Sequence, residues 1–273
     1  MNNLKNWLRR AVYSLKYHID NLKLPNSPLI LVYSKGKTGT TTVFDTIRGA
    51  GKNNVFQLHT LNEATISERK LSYRKTKALY PSAFINSLYL KRKLVGIMEA
   101  KKKIEIVTVV RDPLAITLSS FFQNKEKHYR RELSSVEILD VLRESEIENG
   151  KWFDSELLQQ FGFNIFEKDF NKSAGYHIYE NDNVRLLVVK LEMVNETLTQ
   201  ALSSFFAIEE MDLIKSNQMQ DKSYRELYTT VKNNFRFKET ELKEMYNTRY
   251  MNQFYSQSEI QVFIDNWLET EKR

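Results

Sequence analysis

The sequence predicts an α/β protein with three α/β/α layers, a central and mainly parallel sheet, and additional C-terminal helices. Four apolar, β-branched runs alternate with stretches of helical periodicity, a pattern typical of parallel strands joined by right-handed helical crossovers. The 273 residues are 41% hydrophobic, enough to bury one sizeable core, and no linker rich in Pro, Gly or Ser divides the chain. We therefore expect a single domain over 27–273, preceded by a helical segment over 1–26.

The predicted elements follow one another in a regular order. The strands lie at 28–33, 54–59, 104–110 and 184–190, and the helices at 40–50, 83–102, 113–127, 135–146, 152–161 and 194–204, with further helices through 208–272.

The segment 1–26 reads as an amphipathic helix, because its apolar residues recur at helical spacing with basic residues largely elsewhere around the wheel. The usual role of such a helix is to pack on its domain, and contact with a lipid surface is the alternative. The segment has neither the apolar core of a secretory signal nor a membrane span, so we expect a cytoplasmic protein, with peripheral contact at the inner face of the membrane left open. The apolar residues are Leu4, Trp7, Leu8, Ala11, Val12 and Leu15, and the basic ones are Lys5, Arg9, Arg10 and Lys16.

Charge and cysteine content narrow the function classes. The 41 Lys and Arg against 34 Asp and Glu give a net charge of +7, which favours anionic ligands, acidic glycans, membrane surfaces or nucleic acid without choosing among them. The chain has no cysteine, which excludes disulfides and thiolate zinc sites and fits a reducing compartment. No nucleic-acid-binding module is recognisable, and we expect neither a nucleic-acid partner nor a metal.

The most informative stretch is 28–43, PLILVYSKGKTGTTTV, in which an apolar strand feeds a Gly- and Thr-rich loop and then a helix. Glycines let a chain bend closely around an anion, and the first turn of a helix offers unpaired N–H groups at its positive end. A lysine in the loop adds a point charge, and the threonines add hydroxyl donors. The loop therefore reads as a P-loop-like cradle for phosphate. Its predicted ligand-binding residues are Gly36, Lys37, Thr38, Gly39, Thr40, Thr41 and Thr42.

The loop departs from the nucleotide-triphosphate signature G-x-x-x-x-G-K-[ST]. Gly36, Lys37 and Thr38 match the end of that pattern, but Leu31 stands where it requires glycine. This departure argues against an ordinary ATPase. The alternative to a phosphate cradle is that this strand-to-helix turn binds no ligand.

A second signal lies at the end of the strand 104–110, where the chain reads Arg111-Asp112-Pro113. Pro113 suits the first turn of a helix, so Arg111 falls at the carboxyl end of a strand and Ser119 about two turns into the next helix. Ligands of open α/β sheets bind at this edge, and Lys37 and Arg111 would then converge on one anionic ligand. The alternative is a surface ion pair between Arg111 and a neighbouring carboxylate.

Together these segments resemble the two nucleotide motifs of the sulfotransferase superfamily, whose members use 3′-phosphoadenosine 5′-phosphosulfate (PAPS). The resemblance implies that the loop at Lys37 binds the 5′-phosphosulfate, and that Arg111 and Ser119, eight positions apart, bind the 3′-phosphate. Gly36 stands where the superfamily has proline. More narrowly, YSKGKTGTTTV, the His59 segment, KWFDSEL, LLVVKLE and FYSQSEI resemble bacterial sulfotransferase-like proteins of capsular polysaccharide synthesis.

A general base is also expected near the loop. His59 ends the second predicted strand, on the same edge as Lys37 and Arg111, and imidazole has a reference pKa near 6.5 that suits this role. It is the best placed of the four histidines. The alternative is a hydrogen-bonded histidine without a catalytic role. The resemblance implies a histidine or glutamate base in this region, which makes Glu63 the reserve candidate.

The sequence leaves three candidate functions. The first is PAPS-dependent sulfuryl transfer to a hydroxyl of a carbohydrate or other acceptor, with Lys37 neutralising the departing phosphate and His59 as base. The second is a kinase-like phosphotransferase with a degenerate P-loop, and the third is a catalytically silent nucleotide-binding protein. Trp152, Phe153, Asp154 and Glu156 would line an acceptor pocket or, as we slightly prefer for the two aromatic residues, belong to the core.

Overall fold

The computed structural model describes residues 2–23, 27–128, 133–145, 147, 150–214, 216 and 225–269. Its five-stranded sheet has the order β2-β1-β3-β5-β4, with β4 antiparallel to β5 and the other neighbours parallel. The three-layer α/β/α fold predicted from the sequence is confirmed. The strands are β1 (Leu29–Tyr33), β2 (Val55–Leu58), β3 (Ile104–Val110), β4 (Tyr176–Asn181) and β5 (Val184–Lys190).

Helices cover both faces of this sheet. Alternate side chains of β1 enter two separate cores, Leu31 and Tyr33 on one face and Ile30 and Val32 on the other, as the two-residue period of a strand requires. The described helices are α1 (Asn2–Lys23), α2 (Thr40–Gly49), α3 (Glu63–Lys75), α4 (Ser82–Glu99), α5 (Pro113–His128), α6 (Ser135–Arg143), α7 (Gln159–Phe161), α8 (Val194–Phe206), α9 (Arg225–Asn234), α10 (Glu239–Tyr246), α11 (Arg249–Phe254) and α12 (Gln257–Trp267), and a π-helical turn, Phe153–Leu158, precedes α7.

The sequence missed β4 and α3, and it was wrong about part of the helical tail. Residues 208–214 are not helical, because Ala207 ends α8 in the left-handed region at φ 51° and Met211 then packs on the sheet core. The remainder of that tail contains the four helices α9 to α12, and residues 215, 217–224 and 270–272 lie outside the described part. The four predicted strands all occur within two residues of their expected bounds.

The strand order places a topological switch between β1 and β3. The chain leaves β1 towards β2 on one side of the sheet and leaves β3 towards β5 on the other. Connections that diverge in this way open a crevice above the carboxyl ends of the two strands. The loop 34–39 and Arg111 therefore flank one crevice.

A buried lysine ties the C-terminal helices to this edge of the sheet. Lys190, the last residue of β5, has a side chain with 0% exposure, and its Nζ lies 2.6 Å from Glu259 Oε1 and 2.8 Å from the Lys172 carbonyl. Burial alone would raise the pKa of Glu259, but its hydrogen bonds to Lys190 and Ser256 outweigh burial and lower it. This ion pair holds the start of α12 against the end of β5.

We predict that Glu259→Gln destabilises the fold by roughly 1.5–3 kcal/mol, the contribution of a hydrogen bond to a charged group. Glu241→Gln is the matched control, because both glutamates lie at the third helical position and accept from the backbone N–H of the N-cap residue, a contact that glutamine preserves. Urea unfolding at neutral pH measures the difference. Since the folded pKa of Glu259 is lowered, its contribution should be present at neutral pH and disappear as the pH falls below about 4.5; equal losses in the two variants would contradict the role of Lys190.

Candidate functional site

The loop between β1 and α2 is a tight turn with two residues in the left-handed region. Lys37 has φ 74° and Gly39 has φ 78°, and Thr38 Oγ1 closes the turn by donating to the Lys35 carbonyl at 2.9 Å. A Cβ atom on Gly39 would lie 2.5 Å from Leu191 Cδ1, whereas one on Gly36 would meet nothing within 4 Å. A side chain at Gly39 would therefore clash with Leu191, whereas the space around Gly36 is open.

The threonine hydroxyls divide into two groups. Gln57 Nε2 donates to Thr40 Oγ1 at 2.8 Å and to Thr41 Oγ1 at 3.3 Å, which leaves both hydroxyl protons available for an anion. Thr38 and Thr42 donate theirs within the protein, Thr42 to the Ser216 carbonyl at 3.2 Å. A cradle at this helix end would therefore rely on Thr40 and Thr41.

Arg111 connects the end of β3 to the loop. Its Nη1 donates to the Lys37 carbonyl at 2.8 Å, and the Tyr250 hydroxyl bridges the Arg111 backbone N–H and C=O at 2.9 and 2.8 Å. Within the described residues Arg111 forms no ion pair at salt-bridge distance, although its charge acts to lower the pKa of the neighbouring Asp112 against the larger effect of burial. Burial raises the pKa of Tyr228, and the charge of Arg111 and a hydrogen bond with it partly offset that rise.

Asp112, in contrast, is a structural carboxylate. It is 5% exposed and accepts from the Tyr246 hydroxyl at 2.8 Å, the Trp267 indole at 2.9 Å and the Leu114 N–H at 3.0 Å. Burial raises the pKa of Asp112 above its ordinary value, and these three hydrogen bonds offset only part of that rise. The carboxylate thus anchors α10 and α12 to the end of β3.

A cavity of about 500 Å³ opens beside Arg111. One face of α9 contributes Tyr228 and Lys232, which lie one helical turn apart, and Arg236 follows two residues after the helix ends. Lys232 forms no ion pair with another described residue. Glu192 also lines the cavity, and it accepts from the Asp112 N–H at 2.7 Å and from the Tyr255 hydroxyl. Three cationic side chains therefore face one volume.

Ser119 lies one turn beyond Ala115 on the same side of α5. Ala115 lines the cavity and Ser119 does not, and Ser119 is half-buried. The structure thus brings Arg111 into the cavity and leaves the serine one turn deeper along the helix.

His59 is held in one orientation directly after β2. Its Nδ1 lies 2.9 Å from the Ser34 carbonyl, and because a carbonyl only accepts, Nδ1 carries the proton and Nε2 has the free lone pair. The Trp152 indole donates to the His59 carbonyl at 2.9 Å. Burial lowers the pKa of His59, the Ser34 hydrogen bond opposes this, and the nearby Arg69 and Lys37 lower the pKa further. The ring is therefore a neutral acceptor at neutral pH.

The residues after His59 are fixed by a buried carboxylate from the π-helical turn. Glu156 is 1% exposed and accepts from the Leu61 and Asn62 N–H groups at 2.8 and 2.9 Å, as well as from the Tyr33 and Thr60 hydroxyls. Glu156 consequently positions the segment that carries His59.

The remaining predicted pocket residues have other surroundings. Phe153 is in the core, as expected, and Trp152 packs against that core. Asp154 pairs with Arg249, and the reserve base Glu63 is the exposed first residue of α3. Within the described residues no group of three or more histidine, aspartate or glutamate side chains could hold a metal.

A family model described as "Putative capsular polysaccharide synthesis protein" (NKWYS) matches residues 135–256, a little under half of the chain. The matched part includes the π-helical turn and the cavity face of α9, whereas the loop 34–39, His59 and Arg111 precede it. No curated protein and no solved structure matches the chain. The description of this family concerns capsular polysaccharide synthesis and does not address sulfuryl transfer.

The cationic side chains of Lys232, on α9, and Arg236, just after it, are the part of the site that sequence reasoning missed. Their signal was present as the four-residue spacing of Tyr228, Lys232 and Arg236. Nothing in that spacing indicated that these residues would line a cavity with Arg111, because the connection between them is long.

The conformation of Lys37 gives a prediction about stability. A residue with a Cβ in the left-handed region costs roughly 1–2 kcal/mol, so Lys37→Gly should unfold with a free energy roughly 1 kcal/mol higher than Lys37→Ala. Both variants lack the ammonium, so the comparison isolates the effect of the backbone conformation. Chemical denaturation of the pair provides the measurement, and a more stable alanine variant would show that Lys37 is not strained.

Proposed function

We propose that this protein is a PAPS-dependent sulfotransferase that transfers a sulfuryl group to a hydroxyl of a carbohydrate in surface polysaccharide synthesis. The observation that carries the proposal is the hydrogen bond from Arg111 to the Lys37 carbonyl, which joins the loop 34–39 to a cavity lined by Arg111, Lys232 and Arg236 at the switch point of the sheet. An anion at the loop and a second phosphate beside Arg111 would belong to one ligand.

The donor nucleotide fits the two halves of this site. The N–H groups at the start of α2, the hydroxyls of Thr40 and Thr41 and the ammonium of Lys37 would hold the 5′-phosphosulfate. The cavity beside Arg111 is large enough for a nucleoside and is lined by Lys232 and Arg236, which suits a ribose carrying a 3′-phosphate. The donor supplies a sulfuryl group activated by its bond to phosphate.

The transfer itself needs a base, a positioned acceptor and charge stabilisation. Nε2 of His59 would take the proton of the acceptor hydroxyl as that oxygen forms a bond to sulfur. The bond between sulfur and the bridging phosphate oxygen breaks, and its electron pair stays on the departing phosphate. Lys37 stabilises the charge that grows on this oxygen, so the protein contributes positioning and electrostatics.

The surroundings of Asp112 favour this proposal over the kinase-like alternative. A phosphotransferase needs an acidic residue free to hold Mg²⁺ near the end of a strand. Asp112 follows β3, but its carboxylate already accepts three hydrogen bonds from within the fold. The oriented and neutral His59 likewise favours an enzyme over a silent binding protein.

We predict that Arg111→Ala weakens 3′-phosphoadenosine 5′-phosphate at least tenfold and AMP much less, because charge-assisted hydrogen bonds to the 3′-phosphate are lost. Lys232→Gln should weaken the bisphosphate without altering the loop, since Lys232 is exposed. Titration calorimetry measures both. Lys243→Gln, an exposed residue of α10 outside the cavity, serves as the control for net charge, and equal losses for the two nucleotides would refute the 3′-phosphate assignment.

We predict that His59→Ala and His59→Gln retain nucleotide affinity and lose turnover by roughly 10²- to 10⁴-fold, the contribution of a positioned base. In the unsubstituted protein, activity should fall as the pH drops through the pKa of His59. Because burial lowers that pKa, the midpoint should lie below the ordinary value of about 6.5. Near-normal turnover in both variants would transfer the role to Glu63.

A further inference from the structure

The N-terminal helix docks on the domain through its polar side. Asn6, which is 6% exposed, donates to the Ala78 carbonyl at 3.2 Å and accepts from the Tyr80 N–H at 2.8 Å. Two turns further, the Tyr13 hydroxyl lies 2.8 Å from Ser82 Oγ. These contacts fix which face of α1 points outward.

The outward face is apolar. This arrangement differs from the ordinary packing of an amphipathic helix, in which the apolar face meets the domain. Each side chain of the apolar stripe is between 48% and 65% exposed, and an exposed patch of this kind marks an interaction surface. The apolar stripe consists of Leu4, Trp7, Leu8, Val12 and Leu15.

Basic residues flank the apolar stripe on both sides. By helical spacing, Lys5 lies along one edge and Arg10 along the other. Arg10, Trp7 and Arg92 of α4 line a shallow hollow of about 260 Å³ between the two helices. The cations would meet anionic headgroups at the level where tryptophan prefers to lie.

We propose that α1 is an in-plane anchor that binds the surface of an anionic phospholipid bilayer, with the apolar stripe among the acyl chains and Lys5, Arg10 and Arg92 at the headgroup phosphates. No described helix is long and apolar enough to cross a membrane. A helix with this division of apolar and basic residues lies in the interface instead. The charge complementarity between its flanks and the bilayer selects lipid as the occupant. The inference does not depend on the proposed enzymatic reaction.

Flotation of the 273-residue chain with vesicles tests the proposal directly. Vesicles of equal parts phosphatidylglycerol and phosphatidylcholine should carry the protein, and pure phosphatidylcholine should carry much less. Leu8→Ser/Val12→Ser should lower partitioning roughly tenfold or more. Lys5→Gln/Arg10→Gln should lower it to a similar extent on the anionic vesicles, since each basic residue near such a surface contributes roughly fivefold.

Val136→Ser/Val262→Ser is the matched control, because it removes two comparably exposed valines from α6 and α12 and should leave partitioning unchanged. Thermal melting by circular dichroism shows whether each variant is folded. Tryptophan emission gives a second readout that is local to the stripe. Of the three tryptophans, Trp7 is 61% exposed and Trp267 is 4% exposed, so a blue shift with anionic vesicles should disappear in Trp7→Phe.

Three results would overturn the proposal. The first is failure of the protein to float with anionic vesicles. The second is flotation that is insensitive to the apolar stripe. The third is a dimer in sedimentation velocity that Leu8→Ser/Val12→Ser converts to monomers, which would make the stripe an interface between two copies of this chain.

Discussion

The hydrogen bond between the Arg111 guanidinium and the Lys37 carbonyl is the contact on which the candidate site depends. It spans the crevice between β1 and β3, where the strand order diverges. Without it, the loop would offer an anion only backbone N–H groups, hydroxyls and the ammonium groups of its own lysines, Lys35 and Lys37. With it, the left-handed turn at Lys37 is held in register with a cavity that contains two further cations. A single arginine thereby joins the loop to the cavity beside α9.

Carboxylate side chains fix the segments that follow the strands along the same edge of the sheet. Glu156 fixes the segment after β2, and Asp112 fixes the segment after β3. Glu192 joins the segment after β5 to Asp112 and Tyr255. Because an unpaired buried carboxylate is costly, the buried Asp112 and Glu156 require their full sets of donors. The π-helical turn that carries Glu156, and the helices α10 and α12 that donate to Asp112, are therefore fixed relative to the strand ends.

The sequence predicted what local patterns determine. The strand runs, the Gly- and Thr-rich loop, Arg111 before Pro113 and the amphipathic first helix all have signals within a few residues, and each occurs at the expected position. Long-range geometry could not be predicted. Nothing in the sequence around Trp152 or Glu156 indicated contacts with the His59 segment some ninety residues earlier, and nothing in α9 indicated its approach to Arg111. The orientation of α1 was also unpredictable, because periodicity defines two faces without showing which one meets the domain.

The central claim is that the switch-point site binds a nucleotide with a 3′-phosphate, and a thermal-shift comparison on the unaltered protein tests it most directly. 3′-Phosphoadenosine 5′-phosphate, AMP, and ATP with Mg²⁺ would each be added over a concentration series. A ligand at about a hundred times its dissociation constant stabilises a fold by roughly 2.7 kcal/mol, which for a chain of this size corresponds to roughly 5–10 °C. We expect a shift of this size for the bisphosphate at concentrations where AMP and ATP give little. A shift for ATP with Mg²⁺ alone, or equal shifts for the bisphosphate and AMP, would contradict the claim.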